Sequence, residues 1–381
     1  MNLLAESPKK RIDSIDILRG IVMCLMAIDH TRDFFYAGRF DPTDLTRAST
    51  VLFLTRFITH YCAASFVFLA GTGAFLSLNR GKTKTQASQF LLSRGLWLVI
   101  LELTIVRAGW GWSLGVFLQV IWVIGISMMI LGLLVYLPLP VVGAVGLILI
   151  FVHDAFDNVS MAAMPAGERT LWTILHVQSM AHLLGTDVFI MYPLIPWVGV
   201  MAAGYAFGKL FTINVNKRKR ILIILGTCSI LLFVLIRYFN IYGDRAMWTW
   251  QGNIHRTILS FINVSKYPPS LDYLLITLGP GMLFLAFIEG KSNKLTDILI
   301  VFGRVPLFYY ILHLYLIHFT AIVLGHIIKL PNSVLPGPAP GGLSLPWVYV
   351  VWFCIVTVLY FPCRWFMNYK RTHKQWWLSY L

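Results

Sequence analysis

Apolar residues run along this chain in blocks too long for a soluble core, at 14–36, 50–79, 88–107, 111–136, 138–154, 187–210, 219–239, 270–289, 299–329 and 346–367. A bilayer core is crossed by about 20 such residues at 1.5 Å each, so the pattern predicts an all-α, polytopic transmembrane helix bundle of about ten spans. The fifth block is the shortest, while the second and ninth are long enough to tilt or to extend past the interface. No soluble stretch or repeat interrupts the series. It therefore reads as a single integral-membrane domain over 1–381, with short tails at 1–13 and 368–381.

The connections between blocks alternate in charge. Every second one carries a basic cluster: Lys9, Lys10 and Arg11; Arg80, Lys82 and Lys84; Lys217, Arg218, Lys219 and Arg220; Lys291 and Lys294; Lys370, Arg371 and Lys374. The tight turn at Pro138 and Pro140 lacks one, and the intervening loops hold scattered positives such as Arg39, Arg47 and Arg169. By the positive-inside bias, both termini are expected in the cytoplasm, in a multi-pass protein of the inner membrane. Three outer segments are long: 155–186, 240–269 and 330–345. The first two, with Trp172, His176, His182, Trp248, Trp250, His255 and Arg256, read as interfacial helices or lids, the three histidines as surface residues. The third, 331–342, is rich in Pro and Gly and reads as loop.

Composition agrees and narrows the partners. The 381 residues are 58% hydrophobic and only 12% charged, where soluble domains carry roughly 25% charged residues. The net charge of +15 sits in short clusters between apolar runs, which argues against nucleic acid and for membrane lipid or an anionic ligand reached from the cytoplasm. The five cysteines form no Cys-x-x-Cys pair, so no disulfide framework and no metal site is expected.

Ionisable groups inside spans are costly and mark function by default. Spaced at 100° per residue, Asp16, Arg19, Met23, Met26, Ala27, His30 and Asp33 fall on one stripe of the first helix, with Ile17, Ile21, Val22, Leu25 and Ile28 opposite, a side suited to lipid or helix packing. The stripe joins a charged start to a histidine about 21 Å further along. Arg56 and His60 share a face of the second helix, and Gly71 and Gly73 allow close helix approach. Tyr309, Tyr310, His313 and His318 stud the ninth block, and Glu102, alone in the third, is expected to pair with a basic neighbour from another helix. Two prolines in Tyr192-Pro193-Leu194-Ile195-Pro196-Trp197 predict a bend towards a cavity.

The opening stretch from Arg11 to Arg19-Gly20, followed by Asp29-His30, resembles the start of the transmembrane acyltransferase superfamily. The chain is more closely similar to bacterial proteins resembling the heparan-α-glucosaminide N-acetyltransferase catalytic domain. Supporting stretches are Phe66-Val67-Phe68-Leu69-Ala70-Gly71-Thr72-Gly73, the Tyr192 to Trp197 run, Lys266-Tyr267-Pro268-Pro269-Ser270, Phe302-Gly303-Arg304-Val305-Pro306-Leu307 and Trp376-Trp377. The resemblance implies acyl transfer across the membrane, from cytoplasmic acetyl-CoA to an amino or hydroxyl group of a sugar or glycan outside, with homo-oligomers permitted. The eukaryotic enzyme carries its catalytic histidine a turn or more beyond His30. Residues 37–49 contain none here, so the superfamily pattern places the role on His30.

In that reading His30, with His60 as a second candidate, is the general base, and Asp29 or Asp33 fixes its tautomer. Arg56 or Tyr310 would steady the developing oxyanion. Arg19, Arg80, Lys82 and Arg304 lie at the level of the CoA phosphates, and Tyr192, Lys266 and His313 complete the binding set. The competing reading is a proton-coupled transporter of a small polar solute, in which the same groups relay protons. No inverted pair of broken helices in matching halves supports it.

Overall fold

The computed structural model describes residues 11–38, 40–112, 115–327 and 342–381. Lys9, Lys10, Arg39 and residues 331–341 of the expected outer loop lie outside them.

Ten long helices follow the ten apolar blocks. They are α1 (Asp13–Phe35), α2 (Thr50–Leu78), α3 (Lys84–Leu101), α5 (Val120–Leu134), α6 (Leu139–Val152), α8 (Leu194–Phe207), α9 (Val215–Phe239), α11 (Leu271–Ile288), α13 (Pro306–Ile327) and α14 (Leu345–Thr372). Shorter helices α4 (Arg107–Trp110), α7 (Ala166–Leu175), α10 (Ile254–Ile262) and α12 (Lys294–Arg304) fill the connections. Eight helical stretches among the described residues are long and apolar enough to cross a membrane. The exceptions are instructive: α5 is short, and α1 carries too many charges. The molecule is a multi-pass helical membrane protein.

Helix α1 is the central column. It packs against α2, α11, α12, α13 and α14. Its expected packing face is buried rather than lipid-facing, with Ile17, Val22 and Ile28 enclosed. Charge is tolerated in this helix because protein, not lipid, surrounds it. The Arg19-Gly20 and Gly303-Arg304 pairs mark the closest crossing. A Cβ on Gly303 would stand 1.8 Å from the Asp16 carbonyl oxygen, and one on Gly20 would stand 2.0 Å from that of Leu299. Only glycine fits there.

Three blocks differ from simple spans. The fourth begins as strand β1 (Val116–Leu118), and only from Val120 is it helical. The sixth begins as strand β3 (Thr186–Ile190), which pairs in parallel with β1 and antiparallel with β2 (Ser179–Leu183). A small sheet of order β1-β3-β2 thus adds to the expected all-α bundle. The β2–β3 turn has two residues, Leu184 and Gly185, both at positive φ (50° and 79°), the pattern of a twist-matched hairpin turn. Pro193 and Pro196 do not bend a helix: Pro193 is the N-cap of α8 and Pro196 lies in its first turn, where a missing N–H leaves nothing unpaired. The ninth block breaks at Val305, where Pro306 begins α13.

Candidate active site

The end of α1 opposite its charged start faces a cavity of about 500 Å³. We call it the histidine cavity. Asp29, His30, Arg32 and Asp33 of α1 line it, with Arg56 of α2, Glu102, Arg107 and Trp110 of the α3–α4 rod, Tyr192, Lys266, Tyr267 and Tyr310.

His30 Nδ1 lies 2.7 Å from His313 Nε2, and the two rings stack with centroids 4.9 Å apart. The other nitrogen of His313, Nδ1, lies 3.1 Å from the Tyr309 carbonyl oxygen, which can only accept. His313 Nδ1 therefore carries its proton and Nε2 its lone pair. It follows that His30 Nδ1 donates, leaving a lone pair on His30 Nε2. A neutral histidine presenting Nε2 is a competent proton acceptor. His313 is fully buried (0% exposed), so the pairing is held rigidly.

The expected carboxylate partner of His30 is replaced by this second histidine. Asp29 is engaged by Arg32 at 2.6 Å, by Arg56 and by Thr59 Oγ1 at 3.1 Å; Asp33 pairs with Arg32 at 2.8 Å. Two acids against two guanidinium groups make a neutralised lattice beside the ring, and its hydrogen bonds leave neither carboxylate to orient the imidazole. His60 also departs from expectation. It is buried against Phe57 and Tyr273 and lines neither this cavity nor the next.

Among the described residues Glu102 has no basic partner. It sits in a π-helical turn, Glu102–Val106, between α3 and α4, and accepts the backbone N–H of Trp122 at 3.1 Å, with Gln119 and Ile121 adding further amide contacts. It caps the N-terminus of α5, whose own N-cap residue supplies no side-chain bond. Tyr192 and Tyr267 bring their hydroxyls to 3.3 Å. Burial raises the Tyr267 phenol, but Lys266 and Arg56 beside it outweigh that and hold its pKa below the ordinary value.

A second cavity, of about 350 Å³, begins at the charged start of α1. Arg11, Arg19, Arg94, Arg304 and Lys370 line it, and among the described residues no Asp or Glu side chain does. We call it the arginine cavity. Asp16 stands behind it as a hub, reached by Arg11 at 2.6 Å, Arg304 at 3.3 Å and Arg19 at 3.4 Å, while Arg304 also meets Asp13 at 3.0 Å. Its deeper wall is apolar, with Met23, Phe66, Leu69, Leu98 and Met128. Arg80 and Lys82, expected here, do not line it, because they sit in the exposed turn before α3.

Tyr310 and Val120 line both cavities. The two spaces thus adjoin at these two residues, with His30 lining one and the cations lining the other. Tyr310 Oη and Trp110 Nε1 are buried and, among the described residues, have no partner beyond each other.

Of the residues singled out from sequence, His30, Asp29, Asp33, Arg56, Tyr192, Lys266 and Tyr310 gather at the histidine cavity, and Arg19, Arg304 and again Tyr310 at the arginine cavity. His313 stands behind His30. Arg94, Lys370, Trp110, Arg107 and Tyr267 were not anticipated. Arg94 had a signal, as a cation well inside an apolar block. His176, expected at the surface, is buried and bonds Asp157 at 3.0 Å.

Fold and site together define a class: a multi-pass helical membrane protein with a histidine cavity and a cationic cavity meeting inside the bundle. Residues 11–250, well over half the chain, match the family model for the catalytic region of heparan-alpha-glucosaminide N-acetyltransferase. The chain belongs to that family of membrane acyltransferases, as its opening motif led us to expect. No characterised protein matches it at a significant level. The family match ends before Lys266, Arg304, Tyr310 and His313, so their place in the site rests on the geometry above.

Proposed function

We propose that the protein transfers an acetyl group from acetyl-CoA, held in the arginine cavity, to an amino or hydroxyl group of a sugar or glycan in the histidine cavity. The observation that carries this reading is that the two cavities share Tyr310 and Val120, with a histidine base lining one and five cations lining the other. A CoA-type donor suits the second space in kind: cations for phosphates at the outer part, an apolar wall for the pantetheine arm within.

In the reaction His30 Nε2 takes the proton of the attacking N–H or O–H as the new C–N or C–O bond forms. His313 holds the required tautomer. Tyr310 Oη, which among the described residues has no partner other than Trp110, is available to donate to the oxygen that becomes negative at the tetrahedral stage. The C–S bond then breaks, and the proton on His30 passes to the departing sulfur. Arg32, Arg56 and Lys266 make the acceptor space strongly polar, which suits a hydroxyl-rich ligand.

The same reading orients the chain. Ten helices from α1 to α14 would span the bilayer with both termini in the cytoplasm of a bacterial inner membrane. The bonds Ser14–Glu289, Arg218–Glu289 and Arg304–Asp13 support this by gathering basic segments at the start of α1. The arginine cavity then faces the cytoplasm.

The test uses purified protein in lipid nanodiscs with labelled acetyl-CoA. H30A should abolish transfer while melting within a few degrees of the parent. Full activity in H30A removes His30 from the chemistry. Undetectable acetyl-CoA binding, with solute-driven proton flux, would favour the transporter reading instead.

A further inference from the structure

The cations of the arginine cavity are not equivalent. Arg11, Arg19 and Arg304 share Asp16, and Arg304 also reaches Asp13. Arg94 and Lys370 have no carboxylate partner among the described residues. Arg94 donates from Nη1 to the Ser379 carbonyl oxygen at 3.0 Å, while its Nε is buried and bonds nothing. Lys370 lies within Coulombic reach of Arg94 and Arg11. Two like charges lining one cavity without an Asp or Glu partner are a standing electrostatic cost, relieved when an anion arrives.

The segment after α14 completes this corner. Residues 376–381 fold back onto α3, where Tyr380 Oη meets Ser93 Oγ at 2.8 Å and the Tyr380 ring meets Phe90 edge-on at 5.9 Å. Leu381 reaches the cavity itself. Lys82 Nζ lies 4.1 Å over the ring of Phe90. An anion site with the Phe90 ring in its lining suits a phosphorylated nucleoside, with an aromatic neighbour for a base and cations for a phosphate.

We propose that Arg94, Lys370 and segment 376–381 form a phosphate subsite that selects the 3′-phosphorylated nucleotide end of the donor. The inference rests on the reading of the arginine cavity as the donor site. It makes the segment after α14, already packed on α3, part of the binding surface.

The experiment is calorimetric titration of the full chain in nanodiscs with acetyl-CoA and with 3′-dephospho-acetyl-CoA. The parent should prefer the phosphorylated donor at least about tenfold. R94Q and K370Q should each bring that preference close to one, by weakening only the phosphorylated form. Y380A should lower the preference without removing either cation. A parent that binds acetyl-CoA, but whose preference survives in both R94Q and K370Q, overturns the inference and leaves the donor reading standing. A parent that binds neither compound overturns both.

Discussion

Replacing His313 by Phe would keep a ring in the stack beside His30 but remove the acceptor for His30 Nδ1–H, now 2.7 Å away. The donor would be left buried and unsatisfied, at a cost of about 1–3 kcal/mol. His30 escapes that cost by moving its proton to Nε2, which faces the cavity, and in doing so loses its base. At about 1.4 kcal/mol per factor of ten, the competent tautomer should fall by about 5- to 150-fold. A general base is worth about 10²–10⁴ in rate, so H313F should be slower than the parent yet faster than H30A. Gln at the same position offers an oxygen to accept the bond, and H313Q should recover part of the loss. The assay is single-turnover acetyl transfer at saturating donor, with thermal unfolding to confirm folding. Equal rates for H313F and H313Q, or a parental rate in H313F, would refute the tautomer argument.

Other consequences can be checked on the same material. D29N leaves Arg32 and Arg56 facing a neutral amide in a buried site and should destabilise by about 3–5 kcal/mol, read as a lower melting temperature; D33N, whose carboxylate is 37% exposed, should cost under about 1 kcal/mol. G303A forces a methyl group onto the Asp16 carbonyl and should cost about 1–3 kcal/mol, with weaker donor binding because Arg304 moves with α12. Tyr267, lowered by Lys266 and Arg56 against its burial, should appear in ultraviolet titration as a phenol ionising below the usual range of about 10, and Y267F should delete that step. Because its folded pKa is depressed, the stability it lends is complete above the unfolded value and is lost as pH falls through the folded one. Stability of the parent relative to Y267F should therefore rise over that alkaline window.

The spans were legible because a helix in lipid must satisfy its backbone internally and be apolar over its length, a constraint strong enough to read from blocks alone. The polar stripe of α1 was legible for the converse reason: charge in a span needs an interior. What escaped was pairing across long separations. Both histidines stood out individually, but nothing local says that His30 and His313, 283 positions apart, share a bond. Glu102 was expected to find a cation and found the amides of α5, a partner no side-chain pattern reveals. The blocks at 111–136 and 187–210 concealed strands because a short run such as Val116-Phe117-Leu118 has no distinguishing period. The prolines near Tyr192 were read as a bend, whereas proline at a helix start is the cheaper place for the same residue.

The junction at Tyr310 and Val120 also has an electrical meaning. In the proposed orientation each cavity brings bulk-like potential deep into the bilayer, so most of the membrane voltage falls across those two side chains. A unit charge passing them would exchange about 2.3 kcal/mol per 100 mV with the field. Because the acetyl group and the His30 proton cross in opposite directions, the completed reaction moves no net charge, and an energised membrane can host it without short-circuiting.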